Sequence, residues 1–336
     1  MKKYICIALA AGALACVATS GCGKKAPRSG AGAKPVFAVL GKSIHPYWSE
    51  VEVGCNAAAK DLGVDVNFVV PPKEDANLQV SRLQGFIAKG VSGIAFAASD
   101  PNSVIRVIAD ASDRGIPSVA LDTDAPKSKR IGYIGTDNYT AGHIAGETLG
   151  KILGGKGKVA ISTGSLSAQN SLDRMHGFED ALKHKFPAVK VISLAADKED
   201  GANALSIAQA ALQAHPDLNA FYGVYAINGP ACARAVQGAG KVGKVHIVCF
   251  DTTGEHMKYI KAGVIDATVG QRPYMMGYKS VEFLNRVKKD GAEKALADMK
   301  FSKDRKLDTG VDVVTKAGLE EYRAKLKELD IPVSGW

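Results

Sequence analysis

"KPVFAVLGKSIHPYWSE", Lys34 to Glu50, carries two patterns in one short span. Val36 to Leu40 is a continuous apolar run that reads as a strand. A helix follows, from about Trp48 to Leu62. His45, Pro46, Tyr47 and Trp48, three ring side chains and a proline, therefore stand where a strand turns into a helix. Trp48 is one of two tryptophans in 336 residues. So much aromatic surface at a strand end, in a loop open to water, calls for a partner.

The same alternation runs through the rest of the chain. "VDVNFVV" precedes a helix over Ala76–Lys89, "GIAFAAS" one over Pro101–Arg114, and "PSVALD" and "RIGYIG" precede "NYTAGHIAGETLGKIL". The rhythm then restarts: "KVAIST" before Ala168–His184, "VKVISLA" before Gly201–His215, "AFYGVY" before Asn228–Gly238, "VHIVCFD" before Gly254–Ala262, and "DATVGQ" before Pro273–Lys288. Strands separated by helices of this length are βαβ units, so the class is α/β with parallel sheets. Ten strands are too many for one comfortable sheet, and two similar halves dividing near Thr136–Tyr139 are expected.

Ahead of this lies "MKKYICIALAAGALACVATSGC", with two lysines, an apolar segment from Tyr4 to about Ala18, and small residues. It reads as a secretory signal over residues 1–22, too short to span a bilayer comfortably. Its end, Gly21-Cys22, resembles a bacterial lipobox, with Thr19 where such motifs usually carry leucine. Lipidation of Cys22 is expected, followed by a Gly/Pro/Lys tether over residues 23–34. The destination is then the periplasm or cell envelope. About 300 residues remain, enough for two cores. Cys55, Cys232 and Cys249 sit in apolar surroundings and read as buried free thiols, with one disulfide as the alternative. The net charge of +9 is spread over scattered lysines and reads as a solvated surface, not a nucleic-acid footprint.

In open α/β sheets, ligands bind beyond the carboxyl ends of the strands. There the sequence places His45, Tyr47 and Trp48, then Asp122-Thr123-Asp124, then Thr136, Asp137 and Asn138. The second half places Ser165 and Arg174, Tyr225 and Asn228, Asp251, and Gln271 with Arg272. These are aromatic faces, carboxylates, amides and guanidinium groups. They suit a small, uncharged, hydroxyl-rich ligand. Carboxylates and amides take hydroxyl hydrogens, arginine donates to oxygens, and aromatics stack on a C–H face.

Taken in order, "LGKSIHPYW", "GIPSVALDTDAP", "YIGTDNYTAGHIAGE", "RMHGFEDAL", "IVCFDTTGEH" and "ATVGQRPYMMGYKSVE" resemble the ribose-type sugar-binding proteins of bacterial ABC transporters. The resemblance spans nearly the whole mature chain. It implies two Rossmann-like lobes joined by three crossovers, near Thr136–Asn138, Gly270–Arg272 and Leu307–Gly310, with sugar between the lobes. One lobe would comprise 35–137 plus 272–308, the other 138–271 plus 309–336. By motif, Tyr47 and Trp48 match stacking aromatics, Asp122 and Asp251 match ligand carboxylates, Arg174 the arginine of R-x-x-G-F, and Gln271 the hinge glutamine. Thr123 stands where ribose binders have a second arginine, Tyr225 where they have asparagine (Asn228 is three residues on), and His45 replaces an asparagine. The implied partners are a monosaccharide-like sugar or polyol and an ABC permease. The protein is expected to be a monomer, with no cofactor and no catalysis.

Other readings compete. "GAGKVG", Gly238 to Gly243, matches a dinucleotide fingerprint but follows a helix and precedes a strand, so it reads as a helix stop. The seven histidines show no H-E-x-x-H and no metal-ligand spacing. Asp122 and Asp251 as acid and base would make an exported sugar-acting enzyme, although no G-x-S-x-G accompanies them. A sugar sensor presenting its closed form to a chemotaxis or signalling receptor is compatible with the binding role. Asp137 and Asn138 are expected to cap a helix.

Overall fold

Runs rich in Val, Ile and Phe fit a pleated, buried surface, and parallel pairing forces a helical return between successive strands. The computed structural model describes residues 34–329 and Ile331. The signal, tether and Cys22 assignments lie outside them. The chain first lays down β1 (Val36–Leu40), α1 (Pro46–Leu62), β2 (Asp65–Val69), α2 (Ala76–Ala88), β3 (Gly93–Phe96), α3 (Ile105–Asp113), β4 (Ser118–Leu121) and β5 (Gly132–Gly135). It then crosses to α4 (Asn138–Ile152), β6 (Lys156–Thr163), α5 (Gln169–Lys185), β7 (Ala188–Ala196), α6 (Gly201–Ala214), β8 (Ala220–Gly223), α7 (Asn228–Gly238), β9 (His246–Phe250), α8 (Gly254–Lys261) and β10 (Ala267–Gly270). It returns through α9 (Pro273–Asp290), α10 (Ala292–Asp298) and β11 (Lys306–Asp308). It crosses once more to β12 (Asp312–Thr315) and α11 (Leu319–Glu328).

Two six-stranded sheets result, ordered β11-β5-β4-β3-β1-β2 and β12-β10-β9-β8-β6-β7. Each is the core of one Rossmann-like lobe, and three chain segments join the two. In both sheets the strand order reverses beside the lobe's first strand, β1 or β6. Such switch points open a crevice at the carboxyl ends of the strands. Alternate residues feed opposite faces. Phe37 and Val39 join Val51, Cys55 and Leu284 on one side of the first sheet. Ala38 and Leu40 join Leu83, Phe86 and Ile108 on the other. The second sheet repeats this, with Ile161 and Tyr222 on one face and Ala160 and Phe221 on the other.

The structure departs from the sequence reading in three places. The helix expected from Pro101 begins at Ile105, because the Asp100 carboxylate accepts from the Asn102 and Ser103 amides and closes a turn first. Two strands, β11 and β12, and two helices, α10 and α11, were not foreseen. "KLD" and "DVVT" are too short and too polar to stand out. β12 also runs antiparallel to β10, so the second sheet is mixed. In "GAGKVG" the helix α7 ends at Gly238, and Gly240 and Gly243 take positive φ in the turn before β9. Cys55, Cys232 and Cys249 are free and buried, and burial pushes the Cys249 thiol up to about 12.

In each lobe, one helix pair meets backbone to backbone. A Cβ on Gly54 of α1 would lie 2.0 Å from the Tyr274 carbonyl oxygen of α9. A Cβ on Gly177 of α5 would lie 2.0 Å from the Tyr139 carbonyl oxygen of α4. Gly177 is the glycine of the R-x-x-G-F stretch, so this contact also fixes where Arg174 sits. Gly177→Ala is therefore expected to destabilise the fold by about 1–3 kcal/mol, the usual cost of overpacking. Gly238→Ala, with no atom within 4 Å of its Cβ, should cost nothing. Equal denaturation midpoints for the two variants would contradict the close-approach account.

Candidate functional site

The loop after β1 carries its side chains into the crevice. Trp48 packs onto Gly41, where a Cβ would lie 2.7 Å from the indole. His45 caps α1 in extended backbone, its Nδ1 accepting from the Tyr47 amide at 3.3 Å. Tyr47 meets Trp48 edge-on, with centroids 5.3 Å apart at 85°. Its hydroxyl donates to Asp122 Oδ1 at 2.7 Å, and Thr123 Oγ1 donates to Oδ2 at 2.8 Å.

Asp122 ends β4, and Asp251 ends β9, the corresponding strand of the other lobe. Both adopt left-handed backbone, with φ of 60° and 73°. That conformation is costly for a non-glycine residue and least so for short polar ones. Here it turns two carboxylates toward the same space. Asp251 Oδ1 accepts from Gln271 Nε2 at 2.7 Å, and Gln271 Oε1 accepts from Thr136 Oγ1 at 2.9 Å. Burial raises the Asp251 carboxyl to about 6, opposed by the Arg174 guanidinium.

Arg174 is 1 % exposed. Its Nε donates to Asn138 Oδ1 and its Nη1 to the Val224 carbonyl, both at 2.9 Å, and its guanidinium lies 4.1 Å from the Phe250 ring centroid. Nη2 is buried without a hydrogen-bond partner. Tyr225 Oη donates to Asn170 Oδ1 at 3.0 Å. Together these groups line a partly open cavity of about 110 Å³.

Eight of the ten residues compared with the ligand positions of ribose-type binders line this cavity: His45, Tyr47, Trp48, Asp122, Arg174, Tyr225, Asp251 and Gln271. Thr123 and Asn228 stand behind it. Thr123 spends its hydroxyl on Asp122. Asn228 spends its side chain on the Tyr225 amide, Ser162 and Asp197. Asp137 caps α4, accepting from the Thr140 amide, while Asn138 positions Arg174. The sequence reading missed Lys42, Ser43, Asn170 and Glu199, which also line the cavity. Lys42 follows β1 within the stretch first quoted. Glu199 follows β7, one of three foreseen strand ends, with those of β2 and β3, for which the sequence reading named no residue. The lining carries Lys42, Lys73 and Arg174 against Asp122, Glu199 and Asp251, with hydroxyl and amide groups between. Three cations thus face three carboxylates, a balance that suits a ligand bringing hydroxyls and no net charge.

Residues 36–293 match the periplasmic binding protein domain family. The chain is 31% identical over 265 residues to the D-allose-binding periplasmic protein of Escherichia coli, covering 76% of this chain and 85% of that one. It is 28% identical over 259 residues to a ribose import binding protein of Salmonella typhimurium, covering 76% and 86%. A solute-binding protein of an ABC transporter from Burkholderia graminis, solved in complex with D-arabinose, superposes with a TM-score of 0.80 at 34% identity, covering 86% of this chain and 97% of the other. This chain therefore belongs to the periplasmic binding protein family, as a type I, ribose-binding-like member.

Proposed function

We propose that the protein is the substrate-binding lipoprotein of an ABC importer, which captures one monosaccharide-like pentose, hexose or polyol between its lobes. The observation that carries this reading is Arg174. A fully buried guanidinium with one nitrogen unpartnered, lining the cavity, is costly unless a ligand oxygen completes it. Asp122 and Asp251 approach the same cavity from different lobes and accept ligand hydroxyls. Trp48 supplies an apolar face for the C–H side of a ring. Relatives named for D-allose and ribose, and a neighbour solved with D-arabinose, support this ligand class.

The direct test is a thermal-shift and calorimetric screen against D-allose, D-ribose, D-arabinose and cyclic polyols, with glycoside turnover followed in parallel. Saturable binding without turnover is expected. Turnover would instead make Asp122 and Asp251 the acid and base of an enzyme. Trp48→Ala should weaken the best ligand by ten- to a hundredfold, from about 1–3 kcal/mol of burial and stacking. Undiminished affinity in a folded variant would remove Trp48 from the site.

The raised Asp251 carboxyl gives the pH dependence a definite sign. Its ionised form accepts ligand hydroxyls, so affinity is full above about 6 and falls as pH drops through that value. At pH 5 the loss attributable to this group is about tenfold. Asp251→Asn should bind weakly and lack this component. A wild-type affinity that is level from pH 7.5 to 5 would contradict the assignment.

Cys22, outside the described residues, is proposed as the lipid attachment site. Wild-type protein should take up labelled fatty acid and fractionate with membranes, whereas Cys22→Ser should take up no label and either be released as soluble protein or accumulate with its signal uncleaved. No helix among the described residues is long and apolar enough to cross a membrane. A soluble, unlabelled wild-type protein would overturn the tether.

A further inference from the structure

Lys42 is a buried lysine, 3 % exposed, at a cleft between two lobes. Its Nζ lies 3.3 Å from Glu74 Oε1 of its own lobe and 3.2 Å from Glu199 Oε1 of the other. It also approaches Tyr225 Oη at 3.5 Å, 4.7 Å from that ring's centroid. Ser43 Oγ adds a second tie across the cleft, donating to Glu199 Oε2 at 2.8 Å. Glu199 is held out to make these contacts. It and Lys198 are two successive residues in left-handed backbone, with φ of 57° and 60°. Asp197 Oδ1 fixes the turn by accepting the Glu199 amide at 2.9 Å. Backbone strain of this kind persists only where surrounding contacts impose it.

Lys42, Ser43, Glu199 and Tyr225 also line the cavity, but Lys42, Glu74 and Glu199 direct their charges at one another across the cleft. We propose that Lys42, Glu74 and Glu199 form a latch across the cleft, which prolongs transient closure in the absence of ligand and slows release of a bound one. The inference rests on lobe closure as the mode of capture, taken from the reading above. In the closed form burial opposes the charge of Lys42, but Glu74, Tyr225 and Glu199 outweigh it and hold its pKa up. Burial, opposed by Lys42, raises Glu74 to about 7, while Lys42 and hydrogen bonds overcome burial at Glu199 and lower it. One cation thus sits between a carboxyl that tends to keep its proton and a carboxylate that does not.

This arrangement predicts an order among variants. Glu199→Gln leaves Lys42 answered by Glu74 and removes only the charge of the tie. Lys42→Met leaves two carboxyl groups facing each other across the cleft, which repel when ionised. In the double variant that repulsion is gone. The test is single-molecule energy transfer on ligand-free protein, with dyes at Gln84→Cys on α2 and Gln213→Cys on α6, both exposed positions. Wild-type protein should make excursions to the closed distance. Glu199→Gln should shorten their dwell time by about tenfold, the effect of one hydrogen bond to a charged group. Lys42→Met should shorten it further, and the double variant should recover part of that loss. Thermal unfolding checks that each variant folds. Ser43→Ala, which removes one donor and no charge, keeps the test decisive if Lys42→Met does not fold. A wild-type protein that never closes without ligand, or variants with wild-type dwell times, would overturn the latch. Because no sugar is present, this outcome is independent of whether the sugar assignment holds.

Discussion

The buried charge of Arg174 is the constraint around which the cleft is organised. A guanidinium this deep must be met by acceptors on every side or be left costly. Asn138 and the Val224 carbonyl meet two of its nitrogens, and the Phe250 face lies against its plane. Each partner comes from a different element, at the start of α4, after β8 and in β9. The close crossing of α4 and α5 through Gly142 and Gly177 holds these elements together. The third nitrogen, Nη2, has no hydrogen-bond partner. The position of Arg174 is thus set by helix packing.

The two lobes treat their fourth strands alike. Asp122 and Asp251 both leave the sheet through left-handed backbone and both have their carboxylates fixed by protein donors. Preordered acceptors lose less freedom when a ligand arrives. Between the lobes, the three crossing segments are stitched to one another. Thr136 of the first bonds Gln271 of the second, the Asp137 amide donates to Asp308 of the third, and Arg272 donates to the Thr309 carbonyl and pairs with Asp312. Gly310, at φ 74°, leaves room for the Arg272 guanidinium, whose Nη1 lies 3.0 Å from where a Cβ would be. If the lobes rotate on one another, as the proposed closure requires, these few residues are where the rotation would be absorbed.

Much of this was readable because strand ends in an α/β chain are marked by abrupt changes of pattern. Each of "VALDTD", "VCFDTT" and "TVGQRP" puts a polar group immediately after an apolar run. Position after a strand, however, does not say which way a side chain turns. Thr123 and Tyr47 both hydrogen-bond Asp122, yet only Tyr47 lines the cavity. Asn228 looked like a ligand amide and instead holds the Tyr225 loop. Lys42 and Glu199 escaped notice for a different reason. Their contact joins two loops, 157 positions apart in the chain, and no local pattern records that. The terminal strands were lost because strands of three and four residues at a sheet edge carry little periodicity.

The central claim is that both lobes grip one sugar, and that ligand favours the closed form by its differential affinity for it. Tyr47, Trp48 and Asp122 belong to one lobe, and Arg174, Tyr225 and Asp251 to the other, so neither set surrounds a ring alone. Small-angle X-ray scattering with and without a sugar that calorimetry shows to bind tests this most directly. The account predicts a smaller radius of gyration at saturation. Saturable binding with an unchanged radius of gyration would contradict it.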